Sequence, residues 1–187
     1  MAVLLYMFQG GCRKVAKALS ICLEPIGKST VHELAKKVSH LKLVSEAKER
    51  RCVAVDETKL RVKGQTVYVW SAVDVDIKEL LALDASYQRC ELNAYLFLRR
   101  VLRACKNKPF VLVDKGPWYP WALERLGLEY KHERFGMRNR VERFFRHLKE
   151  RTVVFHHKMS ARDHVKRLLN LKMLLELFSI YYKTIRG

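Results

Sequence analysis

Two apolar runs of strand length each close on an aspartate: Val53-Ala54-Val55-Asp56 and Phe110-Val111-Leu112-Val113-Asp114. A short run that is apolar at every position buries both its faces, so it belongs inside a sheet. What lies between the two fixes their arrangement. Residues 52–55 form the first strand, ending on Asp56, and residues 66–73 (TVYVWSAV) and 78–84 form two more. Residues 63–65 and 74–76 are the turns, which makes an antiparallel meander. Asp74 and Asp76 are then turn residues rather than metal ligands. A helix over 91–105 follows, with Leu92, Tyr95, Leu96, Leu98, Val101 and Leu102 giving it a broad apolar face. A strand that comes after a helix implies a parallel crossover into the same sheet. In a β-β-β-α-β order the first and fourth strands can be neighbours, which sets Asp56 and Asp114 side by side where a crevice opens. The expected fold is α/β: three antiparallel strands, then parallel strands, flanked by helices.

Further along, residues 118–126 read as a short helix, 128–131 as a strand and 138–151 as a helix. The last helix, about 161–183, carries Leu168, Leu171, Leu175, Phe178, Tyr182 and Ile185 at spacings of three and four. That stripe suits packing on its own domain or a dimer seam. Residues 1 to about 45 read as helical. Thr30 and Glu33 fit a capping box at the start of a helix bearing Val31, Leu34, Ala35, Val38 and Leu41. Two short helices joined by a turn suggest a helix-turn-helix. The region begins abruptly at an apolar helix, as a truncated copy of such a region would. Residues 43–50 are polar and charged, a linker by composition. The chain thus divides into 1–45, a sheet-bearing core over 51–155, and a C-terminal helical region over 156–187.

Charge narrows the partners. Lys and Arg number 37 against 19 Asp and Glu, a net +18. An excess of that size repels itself in a compact fold and is usually kept for a polyanion. Nucleic acid suits it, since each neutralised phosphate releases counterions. A membrane-surface protein would gather its cations on one amphipathic helix, whereas these run throughout the chain. The five cysteines are odd in number and scattered, without a C-x-x-C pair, so they read as reduced thiols. The apolar start at residues 2–8 is too short to cross a bilayer and lacks a leading basic region. A cytoplasmic, nucleoid-associated protein is expected.

Two carboxylates side by side repel unless they share a proton or a cation. Hard oxygen ligands with open positions suit Mg²⁺ or Mn²⁺. Glu142 is the candidate third ligand, although it lies in a stretch (residues 131–151) with eight Lys and Arg against three acids, where it could simply pair with Arg138 or Arg146. Glu142, Arg146 and Lys149 fall at i, i+4 and i+7, on one helix face. That face would hold a metal ligand and two phosphate-binding cations together.

The stretches VDETKLRVKGQTVYVWSAVD, LVDKGPWYPWALERLGLEY and RNRVERFFRHLKERT resemble the catalytic domain of DDE-type transposases from small bacterial and archaeal insertion sequences. These belong to the integrase and ribonuclease H-like class. The resemblance covers about residues 50–155. It implies that Asp56, Asp114 and Glu142 hold two divalent ions, Mg²⁺ or Mn²⁺, for DNA strand cleavage and strand transfer. Twenty-seven residues separate Asp114 from Glu142, several fewer than is usual in the broader class. The resemblance further implies phosphate contacts from Lys59, Lys63, Lys115, Arg138, Arg143, Arg146 and Lys149. Asn139 would contact DNA and orient Glu142, Trp118 would be structural, and the assembly on double-stranded DNA would be a dimer or larger. A catalytically inactive DNA-binding remnant acting as a repressor, and a structure-specific nuclease of the same fold, are the alternatives.

Overall fold

The computed structural model describes residues 1–9, 11–22, 25–41, 45–62, 65–133, 139–152 and 163–186. Two compact units are present: Val44–Arg146, and Met1–Leu43 together with His147–Gly187.

The first unit holds the sheet. Its strands are β1 (Cys52–Val62), β2 (Gln65–Asp74), β3 (Leu80–Ser86), β4 (Phe110–Val113) and β5 (Tyr130–His132). They lie in the order β3-β2-β1-β4-β5. The β1–β2 and β2–β3 pairs are antiparallel, and the β1–β4 and β4–β5 pairs are parallel. This is the ribonuclease H-like arrangement anticipated above. Three helices fall in this chain segment: α4 (Glu91–Leu102), α5 (Tyr119–Leu126) and the start of α6 (Asn139–Arg151). Strand alternation decides which residues face α4 and α5. Val53 and Val55 of β1, Trp70 and Ala72 of β2, and Val111 and Val113 of β4 form one core with Phe97, Leu98, Tyr119 and Leu123. Burying each large side chain of this kind contributes roughly 1.5–3 kcal/mol, and that core holds the strand ends in place.

Several boundaries move from the sequence expectation. The first strand does not stop at Asp56 but continues to Val62, pairing residue by residue with β2 from Val53↔Asp74 to Val62↔Gln65. Its second half alternates polar residues with buried Leu60, so it lacks the fully apolar character of its first half. The expected turn at residues 63–65 falls partly on 63 and 64, outside the described residues. The third strand starts at Leu80 because Lys78 occupies the turn with φ 60 and its N–H bonds to the Asp74 carbonyl. The fifth starts at Tyr130 because Gly127, with φ 62, ends α5 in a left-handed cap. Residues 45–50 are no solvated linker: Ser45 and Arg50 are buried, and Lys48 bridges to Cys105.

Among the described residues the second unit holds α1 (Ala2–Gln9), α2 (Cys12–Cys22), α3 (Lys28–Ser39), the end of α6 and α7 (His164–Arg186), and α7 packs on α1 and α3. The capping box is not formed. α3 begins at Lys28 with Gly27 at its N-cap, which leaves Thr30 and Glu33 inside the first turns. On α7, Leu171, Leu175, Phe178 and Tyr182 are buried, while Ile185 is 61% exposed. His147 packs on Phe178 and Tyr182. No helix among the described residues is long and apolar enough to cross a membrane.

Candidate metal centre

β1 and β4 are adjacent and parallel, in register from Cys52↔Phe110 to Ala54↔Leu112. Two residues further along, Asp56 and Asp114 are level with each other. β4 ends there, whereas β1 runs on beside β2, and the crevice opens at this step. The chain leaves the β1-β2-β3 meander through α4 and returns on the other side of β1, which makes β1/β4 the switch point of the sheet.

Oxygen atoms of Asp56, Glu57 and Asp114 lie within 4.8 Å of one another. Asp56 is buried, and the other two residues are half-buried. The two neighbours on β1 differ because alternate strand residues point to opposite faces. Glu57 shares its face with Val53 and Val55. It accepts the Tyr119 hydroxyl at 2.6 Å and the Arg89 guanidinium at 3.0 Å. Burial pushes the Glu57 carboxyl above its ordinary range and the Asp114 charge adds to this, while Tyr119 and Arg89 pull it down. The fully buried Tyr119 phenol is pushed well up, first by burial and then by the charge of Glu57. Asp56 takes the opposite face, directly across from Ser71 on β2. Ser71 is fully buried and its hydroxyl has no hydrogen-bond partner among the described residues. Asp114 accepts the Gly116 N–H at 2.9 Å, and its carbonyl bonds to His132 Nδ1 at 2.7 Å.

The donor set fits a hard divalent cation: carboxylate oxygens gathered at a strand edge, with an orphaned hydroxyl across from one of them. Glu57 is the least available of the three, since both its oxygens already accept hydrogen bonds.

The other expected site residues divide clearly. Glu142 is exposed on α6 and does not belong to the carboxylate cluster. Arg143 and Arg146 are exposed on the same helix, while Asn139 and Lys149 are half-buried. Lys59 is exposed on β1, and Lys115 is exposed beside Asp114. Lys63 and Arg138 lie outside the described residues. Trp118 lies against the Gly116 backbone; a Cβ added at Gly116 would collide with its ring.

Sequence reading missed Glu57, Tyr119, Arg89, Ser71 and His132. The alternation rule, applied one step past Asp56, places Glu57 on the core face. Arg89 gives no sequence signal of its own.

The chain matches the family described as DDE domain over residues 50–179. It is 44% identical over 155 residues to an uncharacterized protein of Methanocaldococcus jannaschii, covering 83% of this chain and 72% of that protein. A second uncharacterized protein, from Aquifex aeolicus, is 51% identical over 51 residues, covering 27% of this chain and 42% of its own length. Among solved structures, the HTLV-2 integrase catalytic core domain in complex with magnesium is 10% identical, with a TM-score of 0.48, covering 72% of this chain and 87% of that one. A chain of the simian T-cell lymphotropic virus intasome is 14% identical with a TM-score of 0.47, over 80% of this chain. The present chain spans 59% of the length of that intasome chain.

Proposed function

We propose that this chain, which belongs to the DDE-domain transposase family, cleaves and rejoins DNA strands at the ends of an insertion sequence. The observation that carries the reading is the placement of Asp56 and Asp114 together at the β1/β4 switch point. Asp56, Asp114 and Glu142 are the proposed ligands of two divalent ions, Mg²⁺ or Mn²⁺. Bound there, such ions would supply an activated water, later a DNA 3′-hydroxyl, and stabilise charge on the leaving oxygen of an in-line displacement. The chain's own part is positional. Asp56 and Asp114 set the metal-binding edge, and Glu142, oriented by Asn139, would reach it from α6 once DNA is bound. Arg143, Arg146, Lys149, Lys59 and Lys115 hold the flanking phosphates, together with Lys63 and Arg138. No serine or tyrosine nucleophile is needed.

The partner is double-stranded DNA, both element ends and target. Joining two ends requires two sites in one assembly, hence a dimer or larger. Residues 1–45 are assigned to DNA binding, 51–155 to catalysis, and 156–187 to packing on the catalytic domain or a partner copy. The place of work is the nucleoid.

One observation favours a second reading. Glu142 stands outside the carboxylate cluster, as it would in a DNA-binding remnant that occupies element ends without cutting them. Incubating the purified chain with element-end duplex and Mn²⁺ separates the two. The transposase reading expects nicking at the 3′ ends, then strand transfer. It also expects a loss of about a thousandfold or more for Asp114→Ala and for Glu142→Gln with DNA binding retained. Binding without any cutting would support the remnant. Cutting without joining would support a nuclease.

A further inference from the structure

Arg89 lies between β3 and α4, far in sequence from both aspartates, yet several parts of the site converge on it. Its guanidinium donates to Glu57 Oε1 at 3.0 Å. Its central carbon stands 3.7 Å from the centroid of the Trp118 ring and 5.0 Å from that of Tyr68. The Glu57 side chain is only 3% exposed and the Arg89 side chain 27%, so this is not a solvated surface pair. A cation over two aromatic rings and hydrogen-bonded to a buried carboxylate has little freedom.

Those contacts bear on the segment that carries Asp114. Residues 114–119 run from Asp114 to Trp118 and Tyr119. Arg89 grips the far end of this loop in two ways, through the Trp118 ring directly and through Glu57, which accepts the Tyr119 hydroxyl. The middle of the loop is pinned because Trp118 lies flush on Gly116, whose N–H bonds to the Asp114 carboxylate. β1, β2 and the loop after β4 are thereby tied together at one side chain.

We propose that Arg89 is a positioning residue for the metal centre. It locks residues 114–119 against β1 through Glu57, Trp118 and Tyr68, and so sets Asp114 at its distance from Asp56. The role needs arginine, because a lysine ammonium keeps the charge but loses the flat face that stacks on Trp118 while bonding Glu57. The metal half of the inference rests on the functional reading above; the locking of the loop does not.

Two measurements on the full chain separate them. In metal-free protein, Arg89→Met is expected to speed amide hydrogen exchange across residues 114–119 by about tenfold or more, with the strands of the sheet unchanged. In Mn²⁺ titrations followed by electron paramagnetic resonance, it should weaken binding by about 10–100-fold, the range seen when outer partners of metal ligands are removed. Arg89→Lys should fall between Met and wild type in both. Unchanged exchange and unchanged Mn²⁺ binding in folded Arg89→Met would overturn the proposal. If the Met variant does not fold, Arg89→Lys decides, and identity with wild type in both readouts overturns it. If the wild-type chain binds no Mn²⁺ in a manner that depends on Asp114, the functional reading fails, while the exchange result still decides the clamp.

Discussion

At the entry to β1, Arg50 is almost wholly buried and each of its bonds is made inside the fold. It donates to Asp74 at 2.9 Å, to Glu79 at 2.9 Å, and to the carbonyls of Ala104 and Glu46. Its backbone is held by both ends of the Asn107 amide. Asp74 completes the cluster by accepting the N–H groups of Asp76 and Ile77 in the β2–β3 turn. Asp56 lies three residues past Val53, the partner of Asp74, which is about 10 Å further along the strand at roughly 3.3 Å per residue. There the arrangement differs: three carboxylates gather, Arg89 pairs with Glu57, and no ion pair reaches Asp114 among the described residues. Both places gather charge along β1, the first beside β2 and the second beside β4. At the first, Arg50 pairs with both acids and holds the fold; at the second, three carboxylates share one edge, where a bound cation would ease their repulsion.

The contrast breaks most directly through opposite substitutions. Asp114→Asn keeps the acceptor for Gly116 but removes a like charge. It should abolish Mn²⁺-dependent cleavage by about a thousandfold or more while leaving the melting temperature unchanged or slightly higher. Arg50→Met should do the reverse. Stranding Asp74 and Glu79 costs about 3–5 kcal/mol, a drop in melting temperature of about 6–20 °C by calorimetry. Equal destabilisation by both variants would mean that the acid cluster is as structural as the Arg50 cluster. Gly116→Ala sharpens the comparison at the loop. Its Cβ cannot coexist with the present Trp118 ring, so about 1–3 kcal/mol of strain is expected with loss of cleavage. The smallest effect belongs to Ser71→Ala. Because its hydroxyl bonds to no described residue, stability should change by no more than about 0.5 kcal/mol. Mn²⁺ binding should weaken by less than about threefold if that hydroxyl is not itself a ligand.

How much of this could be read from the residues depends on the type of signal. The pairing of Asp56 with Asp114 was legible because two fully apolar runs admit few positions in a sheet, and the helix between them dictates a parallel return. The turn role of Asp74 was legible too, and Asp74 does accept the N–H groups of its own turn. Arg50 was not. Within Lys48-Glu49-Arg50-Arg51 it looks like any solvated cation, and only the three-dimensional approach of Asp74, Glu79 and Ala104 makes it a core residue. The second half of β1 was hidden for a related reason, since Glu57, Lys59 and Arg61 give it the look of a polar loop. The Thr30–Glu33 box failed because the sequence pattern is satisfied equally well one turn into a helix. Glu142 rests on the family resemblance, and its exposed place on α6 is where that reading meets its hardest test.

On the proposed function the β1/β4 edge holds divalent metal between Asp56 and Asp114, with Glu142 completing the set on DNA. A crystal of the chain with element-end duplex and Mn²⁺, examined by anomalous scattering, tests it. The account predicts manganese peaks coordinated by Asp56 and Asp114, with Glu142 within ligand distance of one of them. Manganese held by Glu57 instead of Asp114, or no manganese at this edge with DNA bound, would contradict it.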